Sequence, residues 1–153
     1  MKAKAVNIKT ADEIELMRES GALLAQVFAM LDDFIVSGIT TLDIDTRVED
    51  FIVNTLKARP ASKGQYGYKF TLNSSVNEVV CHGVPNSHKS LKPSDIVNID
   101  ITLEKNGFIA DSSNDLLTVS HRRDFNQRLF LSTAGAKTVR YVFKRRNIFN
   151  RYD

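Results

Sequence analysis

The chain has 153 residues, of which 42% are hydrophobic and 25% are charged, so it is long and apolar enough to form one folded domain. This composition excludes an intrinsically disordered protein, and no stretch approaches the roughly 18 consecutive apolar residues of a membrane span. The single cysteine, Cys81, excludes an internal disulfide. Together these features predict a cytoplasmic protein without a membrane partner.

The formal net charge of +3 conceals an uneven distribution. Residues 1–120 contain 12 Lys+Arg and 16 Asp+Glu, whereas residues 121–153 contain 9 and 2. We therefore predict a folded domain over residues 1–119 and a basic, helical tail over residues 120–153. A solvated basic helix is the first interpretation of the tail, and a contact with RNA or the ribosome is the alternative.

A first helix is predicted to begin at Thr10, because Thr10 and Glu13 have the spacing of a capping box. Gly38 is predicted to stop it. Apolar residues recur between these points at alternating steps of three and four, which is typical of one buried helix face. The predicted face consists of Ile14, Met17, Gly21, Leu24, Phe28, Leu31 and Ile35.

A second helix is predicted from Thr41, with Asp43 and Asp45 near its positive end, and Pro60 rules out its continuation. Its apolar face is predicted to contain Ile44, Val48, Phe51, Ile52 and Leu56.

Residues 96–103 alternate between apolar and polar side chains, which predicts a strand with two unlike faces. Asn106-Gly107 is a strong hairpin-turn signal, so residues 108–119 are predicted to return as an antiparallel strand.

Asp100 and Asp111 lie on these two strands, and two registers are open. A turn at Lys105-Asn106 pairs Asp100 directly with Asp111, whereas a turn at Asn106-Gly107 places Asp111 opposite Thr102 and one diagonal step from Asp100. Both registers put the two carboxylates on the same face of the hairpin. Two facing carboxylates repel each other, and a divalent cation would relieve that repulsion. The alternative is an ordinary solvated polar face.

The run Val79-Val80-Cys81 is predicted to be a strand, with Cys81 as a buried structural thiol. His82 follows it, and Gly83 and Pro85 impose an irregular backbone that is typical of a side chain presented to a cleft. His88 and His121 have no such setting and are predicted to be surface residues.

The chain resembles the type I methionine aminopeptidases over roughly residues 8–113. Four segments carry the resemblance, in the order that the family has them. They are Gly38-Ile39-Thr40-Thr41-Leu42-Asp43, Ser75-Val76-Asn77-Glu78-Val79-Val80-Cys81-His82-Gly83-Val84-Pro85, Leu91-Lys92-Pro93-Ser94-Asp95-Ile96-Val97-Asn98-Ile99-Asp100 and Gly107-Phe108-Ile109-Ala110-Asp111-Ser112-Ser113.

The resemblance implies an α/β (α+β) fold: the N-terminal half of a pita-bread fold, with two helices packed on an antiparallel sheet, plus a C-terminal helix. It implies two divalent ions per site, Co, Mn, Fe or Zn, with Asp100 as ligand of one and Asp111 bridging both. His82 would contact the substrate near the scissile amide as the catalytic residue of this segment. Tyr68 would form a wall of the methionine pocket. Asn73 stands where many members have a cysteine in that pocket.

The same resemblance implies removal of N-terminal methionine from peptides or nascent chains. The family's remaining ligands, a histidine and two glutamates, have no counterpart, because this chain has no glutamate after Glu104. We therefore expect a truncated protein with an incomplete second metal site, impaired or absent activity, and self-association of the exposed half domain. The alternatives are a non-catalytic pita-bread module that binds peptides or proteins, and an RNA contact through the basic tail.

Overall fold

The structure, a computed structural model, describes residues 8–118. Two helices precede a four-stranded antiparallel sheet. The elements are α1 (Ala11–Phe34), α2 (Thr41–Asp50) with a π-helical turn at Phe51–Thr55, β1 (Arg59–Pro60), a short 3-10 turn at Gln65–Gly67, β2 (Leu72–Val76), β3 (Ile96–Lys105) and β4 (Phe108–Leu117). The α+β class with two helices packed on an antiparallel sheet is therefore confirmed. The predicted C-terminal helix, the boundary at residue 119 and His121 lie outside the described residues.

Helix α1 begins as predicted, with a complete capping box between Thr10 and Glu13. It ends at Phe34, before the predicted stop at Gly38, which lies in the following turn with a φ of +96°. The predicted buried face was wrong in its first half, since Ile14, Met17 and Gly21 are exposed. The residues that are buried are Ser20, Leu24, Val27 and Leu31.

The reason lies at the hairpin end of the sheet. Ser20 Oγ donates to the carbonyl of Phe108 at 2.9 Å, and Asn106 Nδ2 donates to Glu19 at 3.2 Å. Residues 19 and 20 of α1 therefore sit level with the β3–β4 turn. Among residues 8–118, no strand continues past this turn to cover the apolar side chains on the earlier turns of α1.

Helix α2 follows the prediction closely. Thr40 caps it, and Ile44, Val48, Ile52 and Leu56 are buried. Lys57 then adopts a left-handed conformation with a φ of +52°, which ends the helical path before Pro60.

Strand β3 is the centre of the sheet. Strand β4 pairs with it from Ile96↔Leu117 to Lys105↔Phe108, while β2 and β1 follow each other along its other edge. Alternate residues of β3 are fully buried beneath the helices, as predicted: Val97, Ile99, Ile101 and Leu103. Helix α1 packs on β3 and β4, and α2 packs on β2. The helices thus cover one face of the sheet, and the polar residues of β3 project from the other. Within residues 8–118, no helix is long and apolar enough to cross a membrane.

Candidate metal centre and active site

The hairpin register decides how Asp100 and Asp111 are related. The two turn residues are Asn106 and Gly107, with φ values of +53° and +83°, and this conformation at both positions is that of a tight hairpin turn. Thr102 pairs with Asp111 and Asp100 pairs with Ser113, so the two aspartates are diagonal neighbours on one face. This is the second of the two registers that the sequence leaves open. Such neighbours are roughly 7 Å apart.

The two carboxylates differ in their surroundings. Burial raises the pKa of Asp100, and the charge of Asp111 raises it further. The amide of Asn73, 3.5 Å from Asp100, and the nearby His82 act in the opposite direction. Asp111 is exposed and accepts a hydrogen bond of 2.6 Å from the Thr102 hydroxyl. The half-buried Asp100 therefore faces a second negative charge and has one long hydrogen bond to relieve it.

These residues fit a divalent cation. Carboxylate oxygens are the hard ligands that such ions prefer, and a cation between the two aspartates would remove the repulsion that raises the pKa of Asp100. Among residues 8–118 there is no group of three or more His, Cys, Asp or Glu side chains placed to hold a metal. The aspartate pair would thus supply only part of a coordination shell.

His82 is held by the loop that follows β2. Gly83 is pressed against that strand: its carbonyl accepts from Ser74 N at 2.7 Å, and its N–H donates to Ser75 Oγ at 3.1 Å. His82 itself has a φ of +54°, which is unusual for a residue with a side chain. His82 is near enough to Asp100 to lower the pKa of that carboxyl, so the loop brings the two residues together.

The predicted strand Val79-Val80-Cys81 is wrong, because these residues form an exposed loop. The chain leaves β2 at Asn77, whose φ is +52° and whose side chain accepts from Ile96 N and donates to Asp95. These bonds fold the backbone back toward β3 and prevent the strand from continuing. Cys81 is correspondingly exposed, and its predicted burial is also wrong.

The loop forms one side of an open cleft of about 330 Å³. Val79, Val80 and Cys81 line this side, and Asp100 lies on the opposite wall, where the sheet provides polar side chains. That wall also includes Ser75, Asn98, Ser113 and Asp115. Asp100 is thus open to a ligand that enters along the loop.

Asn73 lies on the same face of the sheet as Asp100, and Tyr68 is near enough for the charge of Asp100 to act on its hydroxyl. The Tyr68 hydroxyl donates to Leu72 O at 2.8 Å, and burial, with the charges of Asp45 and Asp100, raises the pKa of Tyr68 to about 12. Asn73 pairs directly with Asp100 across β2 and β3. All five predicted site residues are therefore in one region, whereas His88 is exposed, as predicted, farther along the connection between β2 and β3.

Asp45 is predicted only as an acidic residue near the start of the second helix, whereas the structure buries it beneath this region. Asp45 lies between Ile44 and Val48 on the buried side of α2 and accepts two backbone N–H groups from the start of β2. A charged residue within an apolar helix face was the available signal, because burial of a carboxylate requires hydrogen-bonding partners.

Comparisons with known proteins agree with this geometry. The profile of metallopeptidase family M24 matches residues 15–129, beyond Ser113 where the motif resemblance ends. The chain is 46% identical to the methionine aminopeptidase of Salmonella typhimurium over 109 residues, which is 71% of this chain and 41% of that protein.

Two solved methionine aminopeptidases are similar in structure. The enzyme from Rickettsia prowazekii aligns with a TM-score of 0.71 and 30% identity, covering 82% of this chain and 51% of that one. The enzyme from Thermotoga maritima aligns with a TM-score of 0.70 and 35% identity, covering 74% and 45%. The chain thus spans about half of these relatives or less. It belongs to metallopeptidase family M24 and is a pita-bread protein like the type I methionine aminopeptidases.

Proposed function

We propose that this chain contributes the aspartate pair of a metal-dependent aminopeptidase that removes N-terminal methionine from peptides or nascent chains. The observation that carries the proposal is the placement of Asp100 and Asp111. They are diagonal neighbours on the face of the sheet that the helices leave uncovered, and the charge of Asp111 adds to the effect of burial in raising the pKa of Asp100. The 46% identity to a methionine aminopeptidase supports the choice of substrate.

Asp100 and Asp111 would hold the metal ions, Co, Mn, Fe or Zn. When bound, such ions lower the pKa of water and polarise a peptide carbonyl. His82 would orient the scissile amide from the loop, since its left-handed backbone and the contact of Gly83 with β2 fix its position. Both aspartates are built on the β3–β4 hairpin, which restricts their relative motion.

Tyr68 and Asn73 would bind the methionine side chain and the adjoining backbone. With a pKa of about 12, Tyr68 remains a neutral phenol at physiological pH, and its hydroxyl is engaged by Leu72 O. Its ring makes an edge contact with Phe70, with centroids 5.8 Å apart. Because the Tyr68 hydroxyl already has a hydrogen-bond partner, the ring can present an apolar surface. Such a surface suits the apolar thioether of methionine.

The test is release of methionine from a peptide such as Met-Gly-Gly by the 153-residue chain with Mn²⁺ or Co²⁺ added, together with calorimetric titration of each ion. Because the described residues provide two carboxylates and no third neighbouring ligand, we expect weak ion binding and low activity. Asp111→Ala should abolish both. Asp33→Asn, at an exposed position on α1, is the control for loss of one negative charge. Equal ion binding by the Asp111→Ala variant and the unsubstituted chain would contradict the proposal.

The second candidate is a non-catalytic module that uses the cleft to bind peptides, and the apolar side chains beside Asp100 favour it. Val80 is 91% exposed at the cleft margin, which provides contact area independent of any metal. The same experiments separate the two functions. Metal-independent binding of Met-Gly-Gly without methionine release, unaffected by Asp111→Ala, would favour the module.

A further inference from the structure

Asp45 is a buried carboxylate that the proposed function does not use. Only 4% of its surface is exposed, and it lies on α2 between two fully buried residues, Ile44 and Val48. Its Oδ1 accepts from Thr71 N at 2.8 Å and from Leu72 N at 3.1 Å. A carboxylate in such a place costs free energy unless it is well hydrogen-bonded, so these two backbone contacts are what the side chain provides to the fold.

The peptide that Asp45 holds leads directly to the candidate site. Leu72 donates its N–H to Asp45, and its carbonyl accepts the Tyr68 hydroxyl at 2.8 Å. The next residue, Asn73, is the cross-strand partner of Asp100, and its amide lies 3.5 Å from that carboxylate. The backbone of Leu72 and Asn73 therefore connects Asp45 on α2 with Tyr68 and with Asp100.

Asp45 holds the start of β2, in addition to the pairing of this strand with β3. Strand β2 has five residues, and Asp45 anchors its first residue to a helix that the core holds firmly. If the anchor is lost, Thr71 N and Leu72 N lose their acceptor inside the protein, and the start of the strand gains freedom. Tyr68 and Asn73 would then move relative to Asp100, whereas Asp100 and Asp111 would remain fixed to each other by their own hairpin.

We propose that Asp45 is a positioning residue of the candidate site: it fixes the start of β2 and thereby holds Tyr68 and Asn73 in place beside Asp100. The inference rests on the proposed function for the roles of Tyr68 and Asn73. Asp45 contacts neither the substrate nor the metal, and it acts through the backbone of Thr71 and Leu72.

The kinetic test compares three variants. Asp45→Ala removes the acceptor and should raise KM for Met-Gly-Gly about tenfold, with a smaller change in kcat because the aspartate hairpin is intact. Asp45→Asn keeps an oxygen that accepts the same N–H groups, so it should show a smaller rise in KM. Val48→Ala is the matched control, since it weakens the buried face of the same helix but leaves the acceptor of the Thr71 and Leu72 N–H groups in place. An equal rise in KM in Val48→Ala would overturn the inference.

A second measurement does not require turnover. Amide hydrogen exchange by NMR should accelerate at Thr71 and Leu72 in Asp45→Ala beyond the change seen in Val48→Ala, and the side-chain amide resonance of Asn73 should shift. If Asp45→Ala does not fold, Asp45→Asn supplies both readouts. Absence of both ion binding and methionine release by the unsubstituted chain would refute the proposed function alone. Unchanged exchange at Thr71 and Leu72 would refute the positioning role.

Discussion

Substitution of Gly83 by alanine tests the link between the His82 loop and β2. A Cβ at Gly83 would lie 2.2 Å from Ser74 O, 2.7 Å from Ser74 C and 2.9 Å from Ser75 Cα. All three are backbone atoms of β2, which pairs with the centre of the sheet and cannot move aside cheaply. The loop must therefore retreat by about 1 Å to restore an ordinary contact distance.

This movement of the His82 loop away from β2 should lower the stability of the protein. It weakens two hydrogen bonds, from Ser74 N to Gly83 O at 2.7 Å and from Gly83 N to Ser75 Oγ at 3.1 Å. Overpacking costs about 1–3 kcal/mol and each weakened bond about 0.5–1.5 kcal/mol, so we expect the free energy of unfolding to fall by about 2–6 kcal/mol. His82 moves with the loop, and methionine release should fall further than stability alone explains.

Urea unfolding followed by circular dichroism measures the loss, and Gly21→Ala is the matched control. Gly21 lies within α1, and a Cβ there meets nothing within 4 Å, so this variant should gain about 0.5–1 kcal/mol from helix propensity. If Gly83→Ala unfolds at the same urea concentration as the unsubstituted chain, the close packing of the loop on β2 is refuted.

Two further substitutions test the segments that flank the site. Asp95 accepts from Asn77 Nδ2 and Lys92 N, both at 2.9 Å, and these bonds hold the pKa of Asp95 below its ordinary value. The contribution of ionised Asp95 to stability is therefore present above the ordinary pKa near 4 and is lost as pH falls through the lowered pKa. At pH 7 the free energy of unfolding of Asp95→Asn should be about 1 kcal/mol below that of the unsubstituted chain. In acid unfolding curves this difference in stability should become smaller as the pH falls. Thr40→Ala removes the α2 cap and should cost about 1 kcal/mol in urea unfolding, whereas Thr46→Ala, an exposed position on the same helix, should cost less.

The parts of the fold that the sequence predicts are those set by short-range chemistry. Asn106-Gly107 can form a tight hairpin turn, and once that turn is chosen the period of two places Asp100 and Asp111 on one face. The cap of α1 at Thr10 is equally local. These features need no knowledge of what packs against them.

The wrong predictions depend on contacts between distant segments. Val79 and Val80 are β-branched and favour a strand, yet the bonds of Asn77 to Asp95 and Ile96 turn the backbone away. Ile14 and Met17 continue the apolar spacing of α1 but are exposed, because they precede the residues of α1 that contact the β3–β4 turn. Asp45 finds its partners 26 and 27 residues later, a distance that no local pattern encodes.

The two faces of the sheet divide stability from function, and Asp111→Ala makes this division measurable. The buried face holds Val97, Ile99, Ile101 and Leu103, whereas Asp111 lies on the opposite face and is exposed. Its removal leaves the hydrophobic core intact and relieves the repulsion with Asp100, so without metal the variant should be at least as stable as the unsubstituted chain. A ligand that binds the folded state stabilises it, so Mn²⁺ should raise the unfolding temperature of the unsubstituted chain and not that of the variant. A marked loss of stability in metal-free Asp111→Ala would mean that this aspartate supports the fold rather than a metal site.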